Sequence, residues 1–211
     1  MLKPITIKYL LLVVVVFILS IAAAPVKNTC TLSKDFTVTI HGTSNLHEWE
    51  ETVEIVTGTG IINRNSDGSF DLEEVIKMNV HSIKSSEGAV MDKKTYEALK
   101  ADDHPEIIFK LFVPIKSIKS STKAQTFSSS GSLTIAGVTK KINMKVKILM
   151  GENGEMAFEG LQKIKMSDYN IDPPKALLGV LKTHDDITIN FKTSFIACNN
   201  KNIKKRNAKK I

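Results

Sequence analysis

Cysteine is nearly absent, with Cys30 and Cys198 the only two in 211 residues. No CxxC pair occurs, so a thiolate zinc module or a dithiol redox centre is excluded. GxSxG, P-loop, GxGxxG and HExxH motifs are missing too. Serine, histidine and aspartate are present without local organisation, and no enzyme activity is expected. The five histidines, His41, His47, His81, His104 and His184, include no pair at i, i+2 or i, i+4. A metal site is therefore not expected, and a metal-dependent protein built from scattered histidines is the weakest of the alternatives. His41 and His81 fall on the polar phase of their strands, where solvent is the ordinary environment. Tryptophan occurs once, at Trp49.

Acids are absent from both ends. Met1 to Lys8 carries Lys3 and Lys8, Tyr9 to Ile21 is an apolar run, and Ala22, Ala23 and Ala24 follow. This is the order of a cleavable signal peptide. A cut after Ala24 would leave Pro25 at the new N-terminus, so a cut after Ala22 is preferred, giving a signal over residues 1–22. The run is short for a bilayer span. At the other end, six cations follow Cys198 (Lys201, Lys204, Lys205, Arg206, Lys209 and Lys210). Setting aside the cations of both ends, the formal net charge of +7 falls to −1 for the body. A nucleic-acid binder carries its basic stripe on the folded face, so that class loses most of its support. The tail, residues 199–211, reads as a solvated end, with weak contact to anionic lipid as its functional reading.

Between the ends the dominant pattern is a period of two. Phe36, Val38 and Ile40 alternate with Thr37, Thr39 and His41, and a turn at Gly42–Asn45 leads to Leu46 and Trp49. Further strands are expected over Glu50–Ile62, Phe70–Ile83, Glu106–Ile118, Gly131–Val138, Lys140–Met150, Met156–Met166 and Asp186–Ala197. One helix is expected at about 92–100, with Asp92 as N-cap and Tyr96 and Leu99 on one face. Ser120–Ser130 reads as a loop or ragged hairpin tip, and Asp168–Gly179, with two prolines, as an ordered loop. Eight strands with hairpin-length links and no βαβ rhythm favour a closed all-β antiparallel barrel. Such a barrel is just wide enough for packed side chains or one small ligand.

In a closed barrel the first strand lies beside the last. Cys30 and Cys198 then either staple the seam, a disulfide worth about 4–5 kcal/mol in the chain-entropy limit, or remain two thiols at the strand ends. The apolar phases supply the candidate lumen: Met78, Val80, Phe109, Leu111, Leu133, Ile135, Met144, Phe158, Met166, Ile189 and Phe191, with Trp49 at its mouth or plugging one end. These residues either fill a core or wall a cavity. A barrel with a filled core, acting through loops or the basic tail, is the alternative to a binding lumen.

Four segments carry a family resemblance: His41–Glu50 (HGTSNLHEWE), Thr95–Phe109 (TYEALKADDHPEIIF), Gly131–Ile142 (GSLTIAGVTKKI) and Lys163–Pro174 (KIKMSDYNIDPP). In this order they resemble the YceI-like family of exported bacterial proteins, over about Asp35 to Lys192. The chain departs from that pattern in its basic tail and at Thr183–Asp186, where a more ordinary turn is expected. The resemblance implies an extended, lipocalin-like eight-stranded barrel over residues 30–198, located in the periplasm. It also implies a lumen holding an isoprenoid chain, either a polyprenyl carrier or the tail of a quinone, with no other cofactor. Nothing in the sequence fixes the oligomeric state, a dimer included.

Overall fold

The computed structural model describes residues 29–152, 155–176 and 180–196. The expected signal peptide, the basic tail and Cys198 lie outside the described residues. Among these residues, thirteen strands combine into eight staves. β1 (Thr29–Leu32) and β2 (Thr37–Ser44) make the first stave, and β3 (Glu48–Val53) and β4 (Val56–Arg64) the second. β5 (Phe70–Asn79) continues through a 3-10 turn at Val80–Ser82 into β6 (Ile83–Ser85). β7 (Glu106–Leu111) and β8 (Ile115–Ile118) form the fourth. β9 (Gln125–Ile135), β10 (Val138–Met150), β11 (Met156–Lys165) and β13 (Leu181–Ile196) complete the wall, and β12 (Lys175–Ala176) pairs with the start of β13.

Closure follows from the pairing. The order β1-β4-β5-β7-β9-β10-β11-β13 returns to β1 through Thr31↔Ile196 and Leu32↔Phe195. β2 and β3 continue the same seam, pairing with β13 and β6. All strand pairs are antiparallel, so an eight-stranded closed barrel with no free central edge results. α1 (Ala89–Ala98) is the only α-helix among the described residues, and none of their helices is long and apolar enough to cross a membrane.

One end of the barrel is filled. Cys30, Leu72, Ile118, Ile148, Met150, Met156 and Phe195 are fully buried there, with the Phe158 and Phe195 rings edge to face at 5.3 Å. The opposite end, where β2 meets β3 and β9 meets β10, carries α1 and opens. Tight turns hold this end. The β9–β10 link is the two-residue pair Ala136 (φ 47) and Gly137 (φ 79), the geometry that matches hairpin twist. A Cβ on Gly137 would also press into the His104 ring.

Several boundaries differ from the sequence expectation. The helix begins at Ala89, after Gly88 at φ 92, so Asp92 is inside its first turn and is not the N-cap. Gln125–Ser130 belongs to β9, not to a loop, because Phe127 and Ser129 alternate inward and β10 is long enough to pair them. The β9–β10 turn accordingly falls before Val138. The last strand starts at Leu181, and Thr183–Asp186 is a register shift within it against β2. In Asp168–Gly179, the stretch through Ala176 holds β12 and the end of a 3-10 turn at Met166–Tyr169; 177–179 lie outside the described residues.

Candidate functional site: two chambers in the barrel lumen

Two cavities occupy the unfilled part of the barrel. The outer one, beneath α1, has about 950 Å³ of unfilled space, its opening included. The inner one has about 780 Å³ on the same measure, open space included. They lie end to end, because the same staves line both: Ile40 then Val38 on β2, Ile107 then Phe109 on β7, Ile135 then Leu133 on β9. Ile189 of β13 lines both chambers. From Thr183 to Thr193 the lining follows β13 for about 33 Å at ~3.3 Å per residue. Strand tilt reduces that to about 25 Å along the barrel axis.

Ten of the twelve candidate lumen residues face these chambers. Trp49, Ile135, Met166 and Ile189 line the outer one. Met78, Phe109, Leu133, Met144, Phe158, Phe191 and again Ile189 line the inner one. Val80 and Leu111 face neither. Val80 is locked into the 3-10 turn that leaves β5, and Leu111 packs in the core, both buried.

The outer chamber mixes an apolar wall with a few polar groups. Trp49 lies flat against Gly42, with its indole Nε1 buried and without a hydrogen-bond partner. A methyl group on Gly42 would overlap that ring. Gly42→Ala is expected to cost about 1–3 kcal/mol and to shift the emission of the sole tryptophan; unchanged fluorescence and midpoint would refute the packing. Tyr169 is 1% exposed and its hydroxyl is also unpartnered. Burial, with the nearby Asp168 charge, pushes that phenol up to about 12. Glu51 is buried, and desolvation raises its carboxyl although Thr95 Oγ1 of α1 donates to it. His47 pairs with Glu87 at the rim. Lys94 Nζ donates to the Lys175 carbonyl at 3.3 Å.

α1 forms one wall of this chamber through Met91, Lys94, Thr95 and Ala98, with Leu99 just after its end. It is clamped to β6. Asp92 accepts the Ser85 N–H at 2.7 Å and Lys84 Nζ at 3.0 Å. The Tyr96 hydroxyl lies 2.9 Å from the carbonyls of both His81 and Ile83, donating to one at a time, and accepts from Lys84 at 2.8 Å. The Ser85 N–H, with Lys84, holds the Asp92 carboxyl below its ordinary value. Its stabilising effect is present above the unfolded pKa near 4 and lost as pH falls through the lower folded value. Asp92→Asn is expected to speed amide exchange within Ala89–Ala98 at pH 7; exchange equal to wild type would show the clamp to be idle.

The inner chamber is almost wholly apolar. Its exceptions are Glu74, Ser129, Gln162 and Thr193. Glu74 shares the inward phase of β5 with Leu72, Ile76 and Met78. Enclosure by the barrel pushes its carboxyl up to about 7, desolvation being the whole cause.

The other histidines sit outside the lumen. His41 contacts Glu50 at 3.3 Å and Thr39 at 2.7 Å, and His184 meets Thr43 at 2.9 Å. Among the described residues, no group of three or more His, Cys, Asp or Glu side chains is placed to hold a metal ion. Cys30 is fully buried and disulfide-bonded.

Residues 29–195 match the YceI-like domain. The chain belongs to the YceI-like family. No curated protein sequence matches it. A polyisoprenoid-binding domain from Saccharophagus degradans, implicated in plant cell wall breakdown, superposes with a TM-score of 0.61 at 10% identity, covering 81% of this chain and 99% of that one. BcnA of Burkholderia cenocepacia gives 0.59 at 14% identity, covering 77% and 98%. A YCEI protein of Campylobacter jejuni gives 0.50 at 20% identity, covering 70% and 84%. At these identities the likeness is one of fold, and it places this chain's barrel among YceI barrels.

Proposed function

We propose that this protein is an exported, non-catalytic lipid-binding protein that holds an isoprenoid-type amphiphile, a polyprenyl carrier or a quinone, in its barrel. The observation that carries the reading is the pair of unfilled apolar chambers stacked end to end above a packed floor. A branched chain fits such a bore. Each buried methylene-sized unit contributes about 0.8 kcal/mol before ordering costs, so a long tail binds without many polar contacts. Met78, Met91, Met144 and Met166 on the walls adapt to an irregular shape. The polyisoprenoid-binding relative from Saccharophagus degradans supports the same ligand class.

Export is supported by the basic-apolar-small order of residues 1–24 and by the disulfide at Cys30, which persists in an oxidising compartment. The alternative, a barrel with a filled core acting through its loops, is disfavoured by the unfilled space. Native mass spectrometry of protein purified from its own compartment is expected to show a bound isoprenoid. An empty barrel that also ignores offered prenyl lipids would sink the proposal.

A further inference from the structure

We propose that Glu74 is the headgroup-recognition residue of the inner chamber, donating a hydrogen bond from its protonated carboxyl to an uncharged, oxygen-bearing end of the lipid. The ligand class this selects is a prenyl chain ending in a neutral carbonyl-bearing ring, such as a quinone, inserted ring first. The inference rests on the lipid-binding reading above and decides between its two ligand types.

Glu74 points into the bore from the middle of β5 and has neither hydrogen bond nor ion pair with any described residue. A carboxyl so placed is costly to the protein unless something in the chamber meets it. It shares the lining with Ile76, Met78, Phe109 and Phe158, and with Thr193, whose hydroxyl is buried and unpartnered. Among the described residues no cation lines the chamber, and Glu74 is the only ionisable one that does. On the flanking strands, Arg64 of β4, Lys110 of β7 and Lys116 of β8 are exposed, and Glu106 of β7 pairs outward with Lys77. β1 and β9 carry no charge. Across the barrel, Lys145 and Lys147 of β10, Glu159 and Lys163 of β11 and Lys192 of β13 are exposed, and His41 of β2 faces Glu50 on the outer surface.

An anionic phosphate would therefore meet a carboxyl and no counter-ion in this chamber. Such a headgroup is better left at the mouth, where the outer chamber is lined by Lys94 together with His47, Glu51 and Glu87 and opens to solvent. A neutral carbonyl oxygen, in contrast, accepts a hydrogen bond that no described protein group takes from Glu74. With its carboxyl near 7, Glu74 supplies that proton below neutrality and loses it above.

The test measures binding of three probes of equal chain length: a prenylated benzoquinone, a polyprenyl phosphate and the bare prenyl hydrocarbon. Quinone affinity of the wild type is expected to fall about tenfold from pH 6 to pH 8, while hydrocarbon affinity stays flat. Glu74→Gln, which keeps an N–H donor at every pH, should bind quinone without that pH dependence. Glu74→Leu should lose about tenfold for quinone at pH 6 and nothing for the hydrocarbon. Quinone binding that ignores both pH and Glu74→Leu overturns the role of Glu74 and leaves the lipid reading intact. Failure of every probe to bind overturns the lipid reading itself.

Discussion

Glu74→Gln is expected to stabilise the unliganded barrel at pH 8, by up to about 3 kcal/mol, and to change it little at pH 4. The sign follows from the direction of the shift. Enclosure raises the folded carboxyl from 4.5 to about 7. Below 4.5 both states hold the proton and the contribution is nil. Between the two values the unfolded chain releases its proton while the folded chain keeps it, so folding loses about 1.4 kcal/mol per pH unit. Above 7 the full penalty remains. Water entering the open lumen reduces the figure, because it solvates part of the charge. The readout is the difference in urea-unfolding free energy between variant and wild type at pH 4, 6 and 8. Taking the difference matters, because burial raises Glu51 in the same direction and hydrogen bonds lower Asp92 and Asp185. Parallel curves would mean that Glu74 is not desolvated.

A natural protein that keeps such a residue has a reason outside folding. Leu72, Glu74, Ile76 and Met78 share one phase of β5, so the charged member of an apolar face was visible in the sequence. The ring of staves was legible for a simpler reason. Alternation within each strand is local, and closure is the only way so many antiparallel strands hide their edges. What local pattern could not supply is what distant segments do to one another. Serines at 128–130 read as a loop, yet pairing with Lys145, Met144 and Asn143 draws them into β9. The outer chamber joins Glu51 of β3 to Thr95 of α1 and sets Trp49 with Tyr169. No spacing rule announces such meetings. Nor does alternation say which barrel end fills, since inward residues at both ends are apolar. The choice lies in size and fit: Phe195, Met150 and Met156 close one end, whereas Ile40, Ile135 and Ile189 leave room at the other.

The filled end has a weak seam, which makes Cys30→Ser the second variant with a large expected effect. β1 is four residues long and pairs with β13 at only two positions, extended by the Ser33 N–H to the Ser194 carbonyl at 2.7 Å. β2, higher on the same stave, pairs with β13 at seven. Cys30 sits in β1 opposite Gly60 of β4, fully buried and disulfide-bonded; the chain's other cysteine is Cys198. Closing a loop of that span restricts the unfolded chain by about 5 kcal/mol in the entropy model, and removal of native disulfides typically costs 2–5. Cys30→Ser is therefore expected to lose about 2–5 kcal/mol in chemical denaturation, and reductant should bring the wild type to the variant's midpoint. The loss should be local first: amide exchange in Thr29–Leu32 and at Phe195 should rise more than in β9 and β10, which pair over eleven positions. Because Phe195 packs against Phe158, a wall of the inner chamber, opening this seam also admits water to the bore from below. The variant should then bind a prenyl hydrocarbon more weakly even under conditions where it remains folded. An unchanged midpoint on reduction would show that the seam holds without its covalent tie.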